Sequence, residues 1–286
     1  MSTHDIAAKL RLLLTRPLEP GLTALTCIGG VYCAVRHQLR RISLPCPAAV
    51  FVVRGCKIVW RGQERMEIRA GQMFLLPARM EITIENQPDE EAGRYVALCL
   101  SFTEDMVAAV CAAHVGESRF SDLESLRVRV DQALALSVSH LLDMVLAEGR
   151  SNRLLGLCME EILELISQRT ACLPYIWESA SSWSSRCSRL IALDPGQDWN
   201  AASIAAKLCV SERSLRRNLQ IEGTNFRRIL QDIRLNAGLG MLQAGRCSVG
   251  EAAFRCGYAS ASRFAGLFKE RFGVSPGDVS RFNAGS

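Results

Sequence analysis

The 286-residue sequence predicts an α+β protein. A β-rich N-terminal part with trailing helices precedes an all-α C-terminal part that holds two helix-turn-helix units. Three observations carry this. Between residues 22 and 102, short apolar runs are broken by glycine, proline and acidic residues, the pattern of an antiparallel sandwich or small barrel. After Phe102 the apolar residues recur every three or four positions, which is helical. After Asn200 a capping residue, a short apolar run and a break lead into a second capped run, and this pattern then occurs once more.

Taken in order, residues 5–16 fit a short leading helix. Strands are expected at 31–35, 49–53, 57–60, 73–76, 81–84 and 95–98. Arg61-Gly62-Gln63 reads as a hairpin tip, and Gly55, Gly71, Pro77 and the acidic stretch 88–91 as breaks. Helices are expected at 104–115, 125–148 and 152–169. In the last, Leu155, Met159, Ile162, Leu163 and Ile166 form one stripe, with Glu160, Glu161 and Glu164 outside it. The stripe fits packing on the β domain or pairing of two subunits. The serine-rich, weakly charged stretch 171–185 reads as a linker between a regulatory part, 1–170, and a C-terminal domain, 186–286.

In that domain Asn200 is placed to cap a helix at 201–208, and Ser211 a second at 212–221, which Gly223 stops. Thr224 is then placed to cap a connecting helix, 226–242. Ser248 and Glu251 then form an S-x-x-E capping box. Gly257 supplies a break, since glycine takes a left-handed conformation at little cost. Ser260 caps the next helix, where Phe264, Leu267, Phe268 and Phe272 recur at helical spacing. Gly273 ends it, and Pro276 prevents its continuation.

Charge is unevenly placed. Residues 186–286 hold 15 Lys and Arg against 8 Asp and Glu, whereas residues 1–185 hold 19 against 21. A basic third on a slightly acidic body is the electrostatic footprint of a nucleic-acid module, though a solvated helical surface also produces one. The twelve cysteines form no CxxC pair and read as small apolar residues of a reduced protein. The four histidines form no ligand-spaced cluster, so neither a metal nor a cofactor is expected. No apolar run reaches membrane-spanning length, and the N-terminus lacks the basic and apolar regions of a secretory signal. A cytoplasmic protein is therefore expected.

In a helix-turn-helix the start of the second helix reaches base edges. With Leu215 and Leu219 buried, Arg213, Arg216 and Arg217 lie outside, beside Ser214. Arginine matches guanine O6 and N7 bidentately, so this cluster is the expected reader. The second unit presents Ser260, Ser262 and Arg263, with Lys269 further along; of its leading residues only Arg263 has reach, and the unit is expected mainly to hold the backbone through Arg263, Lys269 and the small residues. Arg227 and Arg228 open the connecting helix, and Arg234 further along it reads as a structural ion-pair residue.

The C-terminal segment, 184–282, closely resembles the AraC/XylS family of bacterial transcription factors. The likeness rests on Ile204-Ala205-Ala206, on Val210-Ser211 with Leu215 and Arg217, on Gly223 and Phe226, and on Arg234-Leu235. Above all it rests on Cys256-Gly257-Tyr258 through Phe264, Phe268-Lys269, Phe272-Gly273 and Ser275-Pro276. The resemblance implies two helix-turn-helix units on one connecting helix, reading successive major-groove turns of promoter DNA. It further implies an activator working with RNA polymerase. Gly238 and Gly266 depart from the family pattern, the first where alanine is usual, the second where an arginine contact is usual.

The N-terminal part more loosely resembles the family's cupin-like β-barrel sensor domains, through 70–77. This implies control by a small-molecule inducer or a protein regulator, with a homodimer as a further expectation. The other reading is a cupin-like enzyme with an accessory DNA-binding module. Against it, the histidines and carboxylate of metal-binding cupins are missing, and no Ser-His-Asp or Cys-His spacing is recognisable.

Overall fold

The computed structural model describes residues 28–113, 120–147, 151–245 and 247–284, with Ile6, Ala8 and Lys9; the rest of the leading helix expected at 5–16 lies outside the described residues. Nine strands are found among them: β1 (Ile28–Cys33), β2 (His37–Ile42), β3 (Ala48–Arg54), β4 (Cys56–Arg61), β5 (Glu64–Arg69), β6 (Met73–Leu76), β7 (Ile82–Gln87), β8 (Tyr95–Ser101) and β9 (Arg127–Val128). They pair antiparallel in two sheets, ordered β1-β8-β3-β6-β9 and β2-β7-β4-β5. Both sheets are open and share no strand, so of the sandwich and the small barrel expected, the sandwich is the one found, and the closed cupin-like barrel is not. Two breaks in register accompany this. The β2–β7 pairing shifts between Leu39 and Ile42, where Arg41 has φ 51°, and the β3–β8 pairing shifts between Val52 and Arg54. Such bulges bend a strand and end its pairing. Phe51, Phe74, Tyr95 and Phe102 are fully buried in the β part.

The six expected strands correspond to β1, β3, β4, β6, β7 and β8. The three unforeseen ones are polar or short. In β2, His37, Leu39 and Ile42 are buried and Gln38, Arg40 and Arg41 exposed. Met66 and Ile68 of β5 alternate with Arg65 and Glu67. The alternation is that of half-buried strands.

Three helices follow, α1 (Glu104–Ala113), α2 (Gln132–Leu146) and α3 (Asn152–Ser167). The second begins later than expected, because residues 123–126 form a 3₁₀ turn capped by Asp122, and β9 follows it. Asp131 then caps α2, accepting from Leu134 N. The stripe of α3 is buried: Leu155, Met159, Ile162, Leu163 and Ile166 all join the core, and Ser137 of α2 donates to Glu161 at 2.8 Å.

The expected linker at 171–185 is helical instead, forming α4 (Leu173–Ser181) and the start of α5 (Trp183–Leu193). Pro174 sits in the first turn of α4, and the Ser182 hydroxyl caps α5 by accepting from Ser185 N. The serines return their hydroxyl hydrogens to helix carbonyls, Ser185 to Ser179 O at 2.7 Å and Ser188 to Ser184 O at 2.6 Å, so a serine-rich helix packs without orphaned polar groups.

The remaining helices are α6 (Ala201–Lys207), α7 (Glu212–Ile221), α8 (Phe226–Gln243), α9 (Val249–Arg255), α10 (Ala261–Phe272) and α11 (Pro276–Ala284). Asn225, not Thr224, caps α8, its side chain accepting from Arg228 N at 3.0 Å. Pro276 starts a helix as well as ending one. Ser275 and Asp278 make reciprocal bonds of a capping-box kind at 3.1 and 3.2 Å, and proline at the first helical position loses no bonded donor. Gly238 is explained by packing: a Cβ there would lie 2.7 Å from Phe264 Cζ, and α8 runs through it unbroken.

The apolar interior divides in an unexpected place. Cys187, Ile191, Trp199, Ile204, Leu215, Leu219, Ile229 and Ile233 form one cluster, the core of the first helix-turn-helix. Leu235, Leu239, Leu242, Phe264, Phe268 and Phe272 of the second belong to the same cluster as the N-terminal sandwich. Ion pairs reinforce this junction. Asp232 of α8 binds Arg271 Nη1 at 2.5 Å and Arg79 Nη2 at 3.5 Å, and Arg271 also donates to Ser43 at 3.2 Å. Nearby, Ala34 N donates to Phe282 O at 2.8 Å, and the His37 ring stacks on Phe282 at 4.3 Å.

Candidate nucleic-acid interface

The first unit is α6, a turn and α7. An Asn200–Ser203 capping box starts α6. In the turn, Cys209 has φ 55°, its N–H donates to Ala206 O, and Val210 N donates to Ala205 O. The second unit repeats this at Gly257, with φ 76°, where Gly257 N donates to Phe254 O and Tyr258 N to Ala253 O. The turns share one left-handed pivot, filled by glycine in one and cysteine in the other. A Cβ in this region costs about 1–2 kcal/mol, partly offset by the flexibility glycine adds to the unfolded chain. Cys209→Gly is therefore expected to stabilise the protein by about 0.5–1 kcal/mol. Denaturant unfolding of the two proteins measures it, and a destabilised variant would refute the strain argument.

Ser211 caps α7, accepting from Ser214 N at 3.1 Å. Leu215 and Leu219 are buried, and Arg213, Arg216 and Arg217 are exposed, as their spacing implies. At about 100° per residue the three arginines span roughly 100° of the helix surface. Arg216 pairs with Glu212 one turn back, an exposed contact worth little. Among the described residues no ion pair engages Arg213 or Arg217. Ser214 is half-buried, its hydroxyl 2.9 Å from that of Ser211. At the far end of α7, Glu222 accepts from Trp183 N at 2.7 Å and Ser184 N at 2.9 Å, fixing α7 to the start of α5.

In α10, Phe264, Phe268 and Phe272 are fully buried, while Ser260, Ser262, Arg263 and Lys269 are exposed. Ser260 caps the helix, and Gly273, φ 79°, ends it. Open space surrounds Gly266. The structure thus presents three exposed arginines on α7, and on α10 exposed serines with Arg263 and Lys269.

Two family models match the chain. One, described as a helix-turn-helix domain, matches residues 204–281; the other, described as the AraC-type transcriptional regulator N-terminus, matches residues 31–170. The chain belongs to the AraC/XylS family of transcriptional regulators. Curated AraC-family relatives match over about a third of the chain. The urease operon transcriptional activator of Escherichia coli is 33% identical over 89 residues, 31% of this chain and 30% of that protein. The transcriptional regulator SirC of Salmonella typhimurium is 34% identical over 87 residues, 30% of each chain. The matched segment thus spans about a third of each relative's length. The AraC-type fold extends further: the ToxT structure from Vibrio cholerae O395 covers 89% of this chain and 98% of its own, with a TM-score of 0.62 and 15% identity.

The interior of this AraC-type N-terminal part holds an unforeseen polar group. Lys57 of β4 is buried and donates to Asn86 Oδ1 at 2.5 Å, with its ammonium 5.1 Å from the Tyr95 ring centre. Burial pushes its pKa down to about 8 and pushes the neighbouring Cys33 thiol up to about 12. A depressed lysine pKa means that the unfolded chain binds more protons between pH about 8 and 10.4, so this group's contribution to stability rises with pH across that window. The stability advantage of Lys57→Met over the parent should therefore be largest near pH 7 and shrink toward pH 10. Urea unfolding at several pH values checks this, and a pH-independent difference contradicts it. Among the described residues no three His, Cys, Asp or Glu side chains are placed to hold a metal ion, and no helix is long and apolar enough to cross a membrane.

Proposed function

We propose that the protein is a sequence-specific DNA-binding transcriptional regulator, an activator, whose N-terminal domain controls its competence. The observation that carries this is the exposed arginine arc on α7, held outward by buried Leu215 and Leu219 in a capped helix-turn-helix. Arg213, Arg216 and Arg217, with Ser214, read bases or hold phosphates in one major-groove turn. Ser260, Ser262 and Lys269 mainly hold the backbone in the next, where Arg263 is the side chain that reaches a base edge. RNA polymerase is the partner such an activator needs, and the cytoplasm is its compartment.

Control by a small ligand or a protein partner is supported by the sandwich itself. A cavity of about 600 Å³ opens at one end, lined by Arg54, Cys56, Glu67, Arg69 and the acidic stretch 89–91. Related folds carry such ligands: solved ToxT structures include one with an unsaturated fatty acid and one with a naphthalenyl butenoic acid. Leu136, Leu154 and Leu157 remain exposed on α2 and α3 and form the surface through which two copies would pair. The test is competition binding of the full chain at physiological salt. Promoter fragments from its own genome should outcompete scrambled DNA of equal composition, and equal competition rejects the reading.

A further inference from the structure

The two helix-turn-helix units have separate apolar cores, and the boundary falls within α8. Ile229 and Ile233 belong to the first core, Leu235 and Leu239 to the second. Arg234 stands at that boundary. It is not the ion-pair residue that the sequence suggested: among the described residues it donates to three backbone carbonyls. Nε donates to Pro195 O at 2.9 Å, Nη2 to Gln197 O at 3.0 Å and Nη1 to Gly257 O at 3.3 Å. The first two belong to the loop that enters the first unit. The third is the pivot glycine in the turn of the second.

The surroundings are built around this contact. A Cβ on Gly257 would lie 2.7 Å from Arg234 Nη2, and a Cβ on Gly196 would lie 2.7 Å from Arg255 O. Both glycines thus permit direct approach, one of α8 to the second turn and one of the entry loop to the end of α9. Trp199 Nε1 donates to Asp194 O at 2.7 Å and secures the same loop to the first core. A planar guanidinium with a fixed fork of donors holds three carbonyls in one geometry, which a flexible ammonium does not.

We infer that Arg234 is a positioning residue that sets the angle between the two recognition helices, and so the spacing of the two DNA half-sites that the chain accepts. This rests on both units meeting DNA as proposed above. The lever is long. With recognition helices about one DNA turn apart, about 34 Å, a 10° change at the joint carries the far helix about 6 Å, close to two base pairs.

The test uses the full chain. Half-sites are first selected by the parent protein from random duplexes. They are then held constant while the spacer between them is lengthened or shortened one base pair at a time. The parent should show a single spacing optimum. Arg234→Lys and, independently, Gly196→Ala should bind that optimum about tenfold less well, the scale of one badly made base contact. Their dependence on spacing should be flattened or displaced, with the preference at each separate half-site unchanged. Weakening by the same factor at every spacing would show a merely structural role and overturn the inference, as would unchanged binding. Selection of only one half-site by the parent also overturns it, while leaving sequence-specific regulation standing. If the parent selects nothing, the proposed function falls and takes the inference with it. Near-UV circular dichroism confirms that each variant is folded, and Gly196→Ala tests the joint without altering the arginine.

Discussion

Asp232→Ala is expected to destabilise the protein by about 3–5 kcal/mol, the cost of leaving a buried charge without its partner. The Asp232 side chain is 7% exposed and that of Arg271 4% exposed, and they meet at 2.5 Å. Without Asp232, Arg271 keeps, among the described residues, the Ser43 hydroxyl at 3.2 Å and Glu81 at 3.7 Å, and its Nε already lacks a partner among them. Arg79 loses the carboxylate it pairs with at 3.5 Å, and with it a tie between the sandwich and α8. Asp232→Asn keeps an acceptor while losing the charge and should cost distinctly less. Urea denaturation of the three proteins decides it. A loss for alanine below about 1 kcal/mol would place this network with exposed pairs of little consequence.

Arg217→Ala is expected to weaken binding to the selected DNA by about 1–3 kcal/mol and to relax the preference at one base pair, as loss of a bidentate guanine contact does. Its exposure midway along α7, free of the Glu212 pair that engages Arg216, leaves it little to give up on meeting DNA. Removing Arg213 as well should bring binding close to the nonspecific level. Arg227→Ala is the contrast: exposed at the start of α8, it should weaken binding evenly across sequences and lower the slope of log affinity against log salt. Titrations of the selected and a scrambled duplex at several salt concentrations separate these outcomes. An unchanged preference in Arg217→Ala removes that residue from base contact.

The C-terminal helices were legible because their signals are local. A capping box, a glycine at a left-handed pivot and phenylalanines three or four apart each act within one turn, so Ser248, Gly257 and Phe264 declared themselves. The α7 arginines were legible for the same reason, since two buried leucines fix the opposite face. What escaped depends on partners distant in sequence. The serines of 171–185 look like a linker until their hydroxyls are seen returning to helix carbonyls. Strand β2 carries four polar residues and two apolar ones and is settled by its pairing with β7. Arg234 meets carbonyls 39, 37 and 23 residues away, which no spacing reveals. The capping pair Ser275 and Asp278, by contrast, leaves a local signal, serine, proline and a carboxylate three residues on, yet Pro276 was expected only as a stop and the helix start escaped.

The two-part apolar interior has a consequence for how the molecule opens. Amides of α6 and α7 are protected by a small cluster of their own, whereas those of α10 share the protection of the sandwich. In native-state hydrogen exchange the first unit should therefore release its slowest amides at a lower free energy than the second, as a separate cooperative segment. The element with most of the reading chemistry is then also the one that DNA would do most to order. Part of the free energy of association would be taken up in quieting that segment, and bound DNA should slow exchange in α6 and α7 far more than in α10.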